Sequence, residues 1–423
     1  MKCFATSAAS TRQQSPASVQ LERWPSFLMA AEIKERILTG RYLIVFAGSF
    51  GVFFANGVIT PVLPLFVKGP LGGGDVAVGL TFAITAVSAI AIRPWVTPKF
   101  NSWGYKPILM GAFAAAGISI GLSGFMPNVP SLIALRLLFG AAMACIFIGS
   151  LTAITSWVPA ARAGEAVSLF SAAPYISMGL GPFLGQWIFH TFDYTATFIV
   201  AGCIAGFGII PMIFLKADKP KLPDDGLPVK RFYAGAVMPG VVIAFGIVGM
   251  IAFGAFIPLF APTIPGMQVQ FAFLTLSVVV LGFRIIGAKL PDRWGPKRTG
   301  IVATTGLIVG LAALSVTPWA LWAYLSIVPF AMGMALQYPG LLTLTLEHVD
   351  DRDRPVAIST FTMLFDISNG LSGLFVGVVA AVAGYRAVFA ASAFMAFIGL
   401  LILLLVVIPR YEALKRSIST RTV

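Results

Sequence analysis

Long apolar runs, each near the length of one bilayer crossing and separated by short polar breaks, organise this chain. A helix needs ~20 mostly apolar residues to span the hydrocarbon of a membrane. Twelve such runs are present, at 42–67, 77–97, 107–126, 131–157, 165–188, 196–215, 235–260, 270–288, 299–317, 320–346, 357–381 and 387–408. Gly and Pro recur inside them, which membrane helices tolerate. The runs are too long and too uniformly apolar for the alternating segments of a β-barrel. The pattern therefore predicts an all-α membrane protein with twelve transmembrane helices.

The polar positions orient it. With the N-terminus in the cytoplasm, the outer loops hold only Lys68 and Arg386, and Arg136 lies inside a run. The other 26 of the 29 basic residues fall in tails, inner loops or inner helix ends. That asymmetry is the positive-inside rule, which predicts both termini in the cytoplasm, and the membrane expected is a bacterial inner membrane. The net charge of +13 then belongs to topology and anionic lipid rather than to a nucleic-acid surface. Composition agrees: 58% of residues are hydrophobic and 11% charged, against about a quarter charged in soluble domains. Three cysteines, Cys3, Cys145 and Cys203, are too scattered for a disulfide framework or a metal cluster, and the latter two read as small core residues.

The first residues, rich in Ser, Ala and Gln, are open to three readings: a disordered extension, a transit-like peptide, or sequence upstream of a start at Met29. A short amphipathic helix on the inner surface is expected after Met29, and a secretory signal is not.

The chain repeats itself. At an offset of 191, "RPWVTPKFNSWGYKP" from Arg93 lies over "RIIGAKLPDRWGPKR" from Arg284. Trp103 meets Trp294, Gly104 meets Gly295, and Lys106 meets Lys297. Tyr194 and Phe198 meet Tyr385 and Phe389 at the same offset. The expected organisation is a tail (1–40), a six-helix half (41–216), a Pro-rich charged linker (217–232), a second half (233–410) and a tail (411–423).

In these residues the chain resembles the major facilitator superfamily, over about 41 to 410, and in "GMALQYPGLLTL", "DDRDRP" and "STFTMLFDISNGLSG" it resembles that family's twelve-helix efflux-type subgroup, whose members are often named drug or sugar efflux permeases. That family's loop signature, Gly-x-x-x-Asp-Arg-x-Gly-x-Lys/Arg-Lys/Arg, is met by Asp292, Arg293, Gly295, Lys297 and Arg298, with Ala288 in place of the first Gly. In the first half only Gly104 and Lys106 fit, and Asn101 replaces the acid. The resemblance implies two pseudo-symmetric six-helix bundles that alternate access to a site between them. It implies that the loop, with Arg93, Asn101, Gly104, Lys106, Arg284, Asp292, Arg293, Gly295 and Lys297, gates that motion. The plain alternative is that its cations are only topology signals.

Further marks follow the family. Arg136 and Gly140 match its Arg-x-x-x-Gly element, and Gly181, Pro182 and Gly185 resemble its antiporter motif, with Gln186 in place of the last Gly. A buried arginine is costly and needs a cavity or a partner. Arg136 is a candidate to bind an anionic group, to tune a proton site, or to brace its helix. Asp366 alone among sixteen acids sits deep inside a predicted helix. An acid there is a candidate proton carrier, or a structural acid paired locally. The resemblance places Asn56, Gln337, Tyr338, Phe256 and, more weakly, Tyr175 on the central cavity, with Arg136 and Asn369.

No Walker-type phosphate loop or metal-ligand cluster occurs in the sequence, and His190 and His348 lie at membrane edges. No enzymatic activity and no cofactor are expected. The expected function is proton-coupled export of a small amphipathic compound by a monomer whose partners are substrate, protons and lipid. Uptake or uniport of a metabolite such as a sugar, lipid or lysolipid transport, and a non-transporting receptor stay open.

Overall fold

In hydrocarbon a backbone must satisfy its own N–H and C=O groups, so each apolar run closes into a helix. The computed structural model describes residues 39–158, 163–215, 232–286, 290–347, 349 and 353–419. Among them every regular element is helical. The first half contains α1 (Gly40–Ile59, resuming as Leu63–Lys68), α2 (Asp75–Trp103), α3 (Tyr105–Ser123), α4 (Val129–Trp157), α5 (Ala163–Thr191) and α6 (Tyr194–Phe207, resuming as Ile209–Ile213). The second contains α7 (Val237–Phe260), α8 (Val269–Ile286), α9 (Leu290–Ser315) and α10 (Ala320–Leu346). A final stretch, Arg354–Ile402, is broken at Gly384 into α11 and α12, and α12 runs on through a π-turn at Leu403–Val407 to Ile408–Ser419.

A helix stands at each of the twelve expected runs, and among the described residues nine helices are long and apolar enough to cross a membrane. Two are interrupted where the sequence reading drew them whole. Pro61 and Pro64 break α1 between Ile59 and Leu63, because proline cannot donate to the preceding turn. Gly208 and Pro211 do the same to α6. The linker at 217–231 and the tail before 39 lie outside the described residues. Cys203 departs from its expected place in the core: it is exposed on α6.

The two halves pack alike. In the first, α1 lies on α5 and α6, α2 on α4, and α3 on α4 and α6. In the second, α7 lies on α11 and α12, α8 on α10, and α9 on α10 and α12. The halves meet along two seams, α2 against α11 and α5 against α8, which the repeat exchanges. Large apolar side chains such as Trp187, Phe214, Val382 and Leu405 cover the outside, as lipid contact allows. We refer to the end where α1 begins as the tail face and to the other as the far face.

Gly104 and Gly295 occupy the same turn of the two halves, with φ of 82° and 77° and extended ψ. Gly384 adopts the same conformation between α11 and α12, at φ 79° and ψ 177°. This region is nearly reserved for glycine. A Cβ on Gly384 would meet nothing within 4 Å, so only the backbone opposes it. Gly384→Ala is therefore expected to cost about 1–3 kcal/mol, read as a lower thermal unfolding midpoint in detergent.

Candidate functional site

Where the two halves face each other, α1, α2, α4, α5, α7 and α11 enclose a cavity of about 470 Å³. Its walls are mainly apolar: Phe53, Phe82, Phe139, Met143, Phe147, Met178, Met250 and Phe365. Asn56, Thr60, Thr81, Thr85 and Asn369 add neutral polar groups, and Arg93, Arg136 and Asp366 carry its charges.

Local sequence explains how the charged groups arrive there. Arg136 and Gly140 are four residues apart on α4 and share one face. A Cβ at Gly140 would run into Thr85 O and Ser88 Oγ of α2, so glycine alone lets the helices touch. Arg136 is thereby turned into the space between them. On α11, Asp366, Gly370, Gly373 and Gly377 form one stripe facing α2. Towards the far face that stripe is tight: a Cβ on Gly377 would stand 3.0 to 3.2 Å from Asp75, Gly79 and Val76 backbone. Towards the tail face the small residues end, and Asp366 meets Arg93 of α2 in an ion pair. Asp366 is the thirteenth residue of its helix, about 18 Å along the axis at ~1.5 Å per residue.

The offset of 191 that relates the halves carries Arg93 to Arg284 and Asp366 to Tyr175. The structure pairs these twins as well. Arg284 on α8 lies 4.4 Å from the centre of the Tyr175 ring on α5 and donates to its hydroxyl at 3.0 Å. The α2–α11 seam is thus joined by an ion pair, and the α5–α8 seam, at the equivalent place, by a cation over a phenol. The far face has a further junction: Lys68 donates to Asp75 of its own half and, across the two halves, to the Tyr385 hydroxyl, both at 2.8 Å.

Of the residues expected on the cavity, Asn56, Arg136 and Asn369 line it, with Asp366 beside them. Tyr175, Phe256, Gln337 and Tyr338 are not among the lining residues. Tyr175 is taken up by Arg284. Phe256 is fully buried, with its ring 6.1 Å from that of Tyr385. Gln337 packs against Gly246 of α7. The Tyr338 ring sits 5.5 and 5.9 Å from Phe361 and Phe365. Sequence reasoning missed the threonines of α2 and the Arg93–Asp366 pair, placing Arg93 with the loop. The repeat held a signal: an arginine at both equivalent places, with an acid or a phenol at both places opposite.

Around the loops, Lys106 donates to Ile213 O at 2.7 Å, Lys297 pairs with Glu412, and Arg293 is exposed. The side chains of Asn101 and Asp292 lie outside the described residues. Gly181 and Gly185 form the α5 side of its crossing with α1, against Gly57 and Val58, and Pro182 lies between them.

Comparisons with known proteins agree with this architecture. The family model described as the Major Facilitator Superfamily matches residues 45–371. The chain is 27% identical over 371 residues to the multi-drug resistance efflux pump PmrA of Streptococcus pneumoniae serotype 4, covering 82% of this chain and 91% of that protein. It is 24% identical over 368 residues to the uncharacterized MFS-type transporter YhhS of Escherichia coli K12, covering 84% and 89%. Among solved structures, the nucleoside transporter NupG (D323A mutant) superposes with a TM-score of 0.68 at 14% identity, over 86% of this chain and 98% of that one. The human organic anion transporter MFSD10 gives 0.64 at 14% identity, over 86% and 99%.

Proposed function

This chain belongs to the Major Facilitator Superfamily, and we propose that it exports a small amphipathic organic compound in exchange for protons, by alternating access. Its membership makes it an integral membrane transporter. The observation that carries the finer reading is the Arg93–Asp366 pair, which joins the two halves at the cavity wall. A proton arriving on Asp366 removes the negative charge that holds Arg93 and frees the α2–α11 seam to part. Release of that proton on the other side restores the pair and draws the seam together. The seam α5–α8 has Tyr175 at the equivalent place, so this reading puts the proton on the α2–α11 seam.

Three further observations support the reading. The cavity is mostly apolar with a few hydrogen-bonding groups, as sites for small organic molecules are. The relative from S. pneumoniae is described as a multi-drug efflux pump. The crossing of α5 on α1 is built on the glycines that resemble the antiporter motif. The concentration of basic residues near the tail face orients that face to the cytoplasm.

The test is flux in liposomes. Vesicles holding the protein, a pH dye and one candidate compound are diluted into acidic buffer. Exchange predicts that compound leaves while protons enter, and that a protonophore, by collapsing the gradient, slows the exit. An exit rate indifferent to the gradient would mark a uniporter. Protons leaving together with the compound would mark a symporter. Binding without flux would favour a receptor.

A further inference from the structure

Arg93, Arg136 and Arg284 lie at the cavity and the two seams, and their partners differ. Arg93 has a carboxylate, Asp366. Arg284 has the face and hydroxyl of Tyr175. Arg136 has neither. Its side chain is 97% buried by residue exposure of 3%, and Nη2 reaches the Ser123 hydroxyl only at 3.5 Å. Its Cζ stands 5.3 Å from the centre of the Phe139 ring, and its Nε has no hydrogen-bond partner. Among the described residues no carboxylate pairs with it.

The scaffold does not require a cation at this place. The repeat carries Arg136 to Ile327 on α10, which is fully buried. The same helix in the other half closes its packing there with an aliphatic side chain. Arg136 is therefore a costly group that the other half of this chain does without, and it lines the cavity. With Arg93 and Asp366 cancelling, the cavity holds one uncompensated positive charge between apolar walls. In such surroundings a fixed cation attracts an anion far more strongly than in water. A guanidinium also matches a carboxylate or sulfonate through two parallel hydrogen bonds.

We propose that the compound carried is a small amphipathic monoanion. Its acid group sits on Arg136, and its apolar body lies against Phe53, Phe82, Phe139 and Met143, all on the same cavity. Asn56 and Thr60 of α1 face it with hydrogen-bonding groups for a neutral polar substituent. This rests on the cavity being the transport site. It names the chemistry that the exporter reading left open, and it is independent of which group carries the proton.

The experiment is equilibrium binding to the purified full chain in detergent, read by calorimetry, with three matched probes: 4-(1-naphthyl)butyrate, its methyl ester, and the amine of the same skeleton. The carboxylate is expected to bind at least ten times more tightly than either other probe. Arg136→Gln should erase that preference, and Arg136→Lys should retain part of it. Because the order among probes is read on the unaltered protein, an unstable Arg136 variant does not remove the test. Equal binding of the three probes, or tighter binding of the amine, would overturn the proposal. So would a carboxylate preference that survives Arg136→Gln in a folded protein. Palmitate binding with no response to the naphthyl acid would also overturn it, in favour of a lipid substrate. None of these readouts uses proton movement, so failure here and failure of proton exchange are separate results.

Discussion

Asp366→Asn is expected to abolish compound-driven proton movement in liposomes while the protein still folds. The amide keeps the shape of the carboxyl and can accept a hydrogen bond from Arg93, but it has no proton to exchange. The companion change, Arg93→Leu, leaves a carboxylate facing a mainly apolar cavity without its cation. It should lose coupling too, and it should lower stability by about 1–3 kcal/mol, because the remaining charge is uncompensated. The figure is held to the modest end because both side chains keep some exposure, 32% for Arg93 and 15% for Asp366. Replacing both with Leu removes the orphaned charge along with the pair. The double variant should therefore regain most of the stability lost by Arg93→Leu and none of the coupling. Thermal unfolding in detergent of the parent, Arg93→Leu, Asp366→Leu and the double variant, with proton-dye flux beside it and for Asp366→Asn, reads both effects. Stability losses that simply add would show that the two groups do not interact. Asp366→Asn vesicles that still move protons with the compound would place the proton site elsewhere.

Gly181→Leu is expected to have the largest effect on folding. At the crossing of α1 and α5, a Cβ on Gly181 would stand 2.5 Å from the Gly57 carbonyl carbon and 2.7 Å from Val58 N. One turn on, a Cβ at Gly185 would run into Val58 O, and across the crossing one at Gly57 would run into Ser177 O. Every neighbour named is backbone, which cannot swing aside as a side chain does. Two glycines four residues apart are the usual means by which membrane helices approach this closely. Forcing the helices apart should cost about 3 kcal/mol or more and displace Pro174 and Met178 from the cavity wall. Gly111→Leu is the control, since a Cβ there meets nothing within 4 Å. The expected result is a sharply lower unfolding midpoint and yield for Gly181→Leu, with Gly111→Leu close to the parent. Equal behaviour of the two would mean that the crossing is looser than its geometry indicates.

The twin seams join these predictions. The offset of 191 aligns Arg93 with Arg284 and Asp366 with Tyr175, and this was available from the letters alone. Reading it required knowing that α2 faces α11 and that α5 faces α8. Hydropathy cannot supply that. In water a helix shows its inner face by burying its apolar side. In a bilayer both the lipid and the neighbouring helix are apolar, so a helix such as α4 is greasy all round and its pattern does not say which side looks inward.

For that reason the sequence by itself determined the number and place of the crossings, the internal repeat, and the one acid deep in a helix. Each depends only on what a segment is made of or on comparing two segments. The tertiary structure alone decided that Asp366 is held by Arg93. It turned Gln337, Tyr338 and Phe256 into packing, against α7, α11 and α12, and drew Thr81 and Thr85 to the cavity. It also left Arg136, on the cavity, without a carboxylate partner among the described residues. Those outcomes depend on which helix faces which, and close backbone approach at glycines such as Gly140 and Gly181 sets that order across elements far apart in the chain.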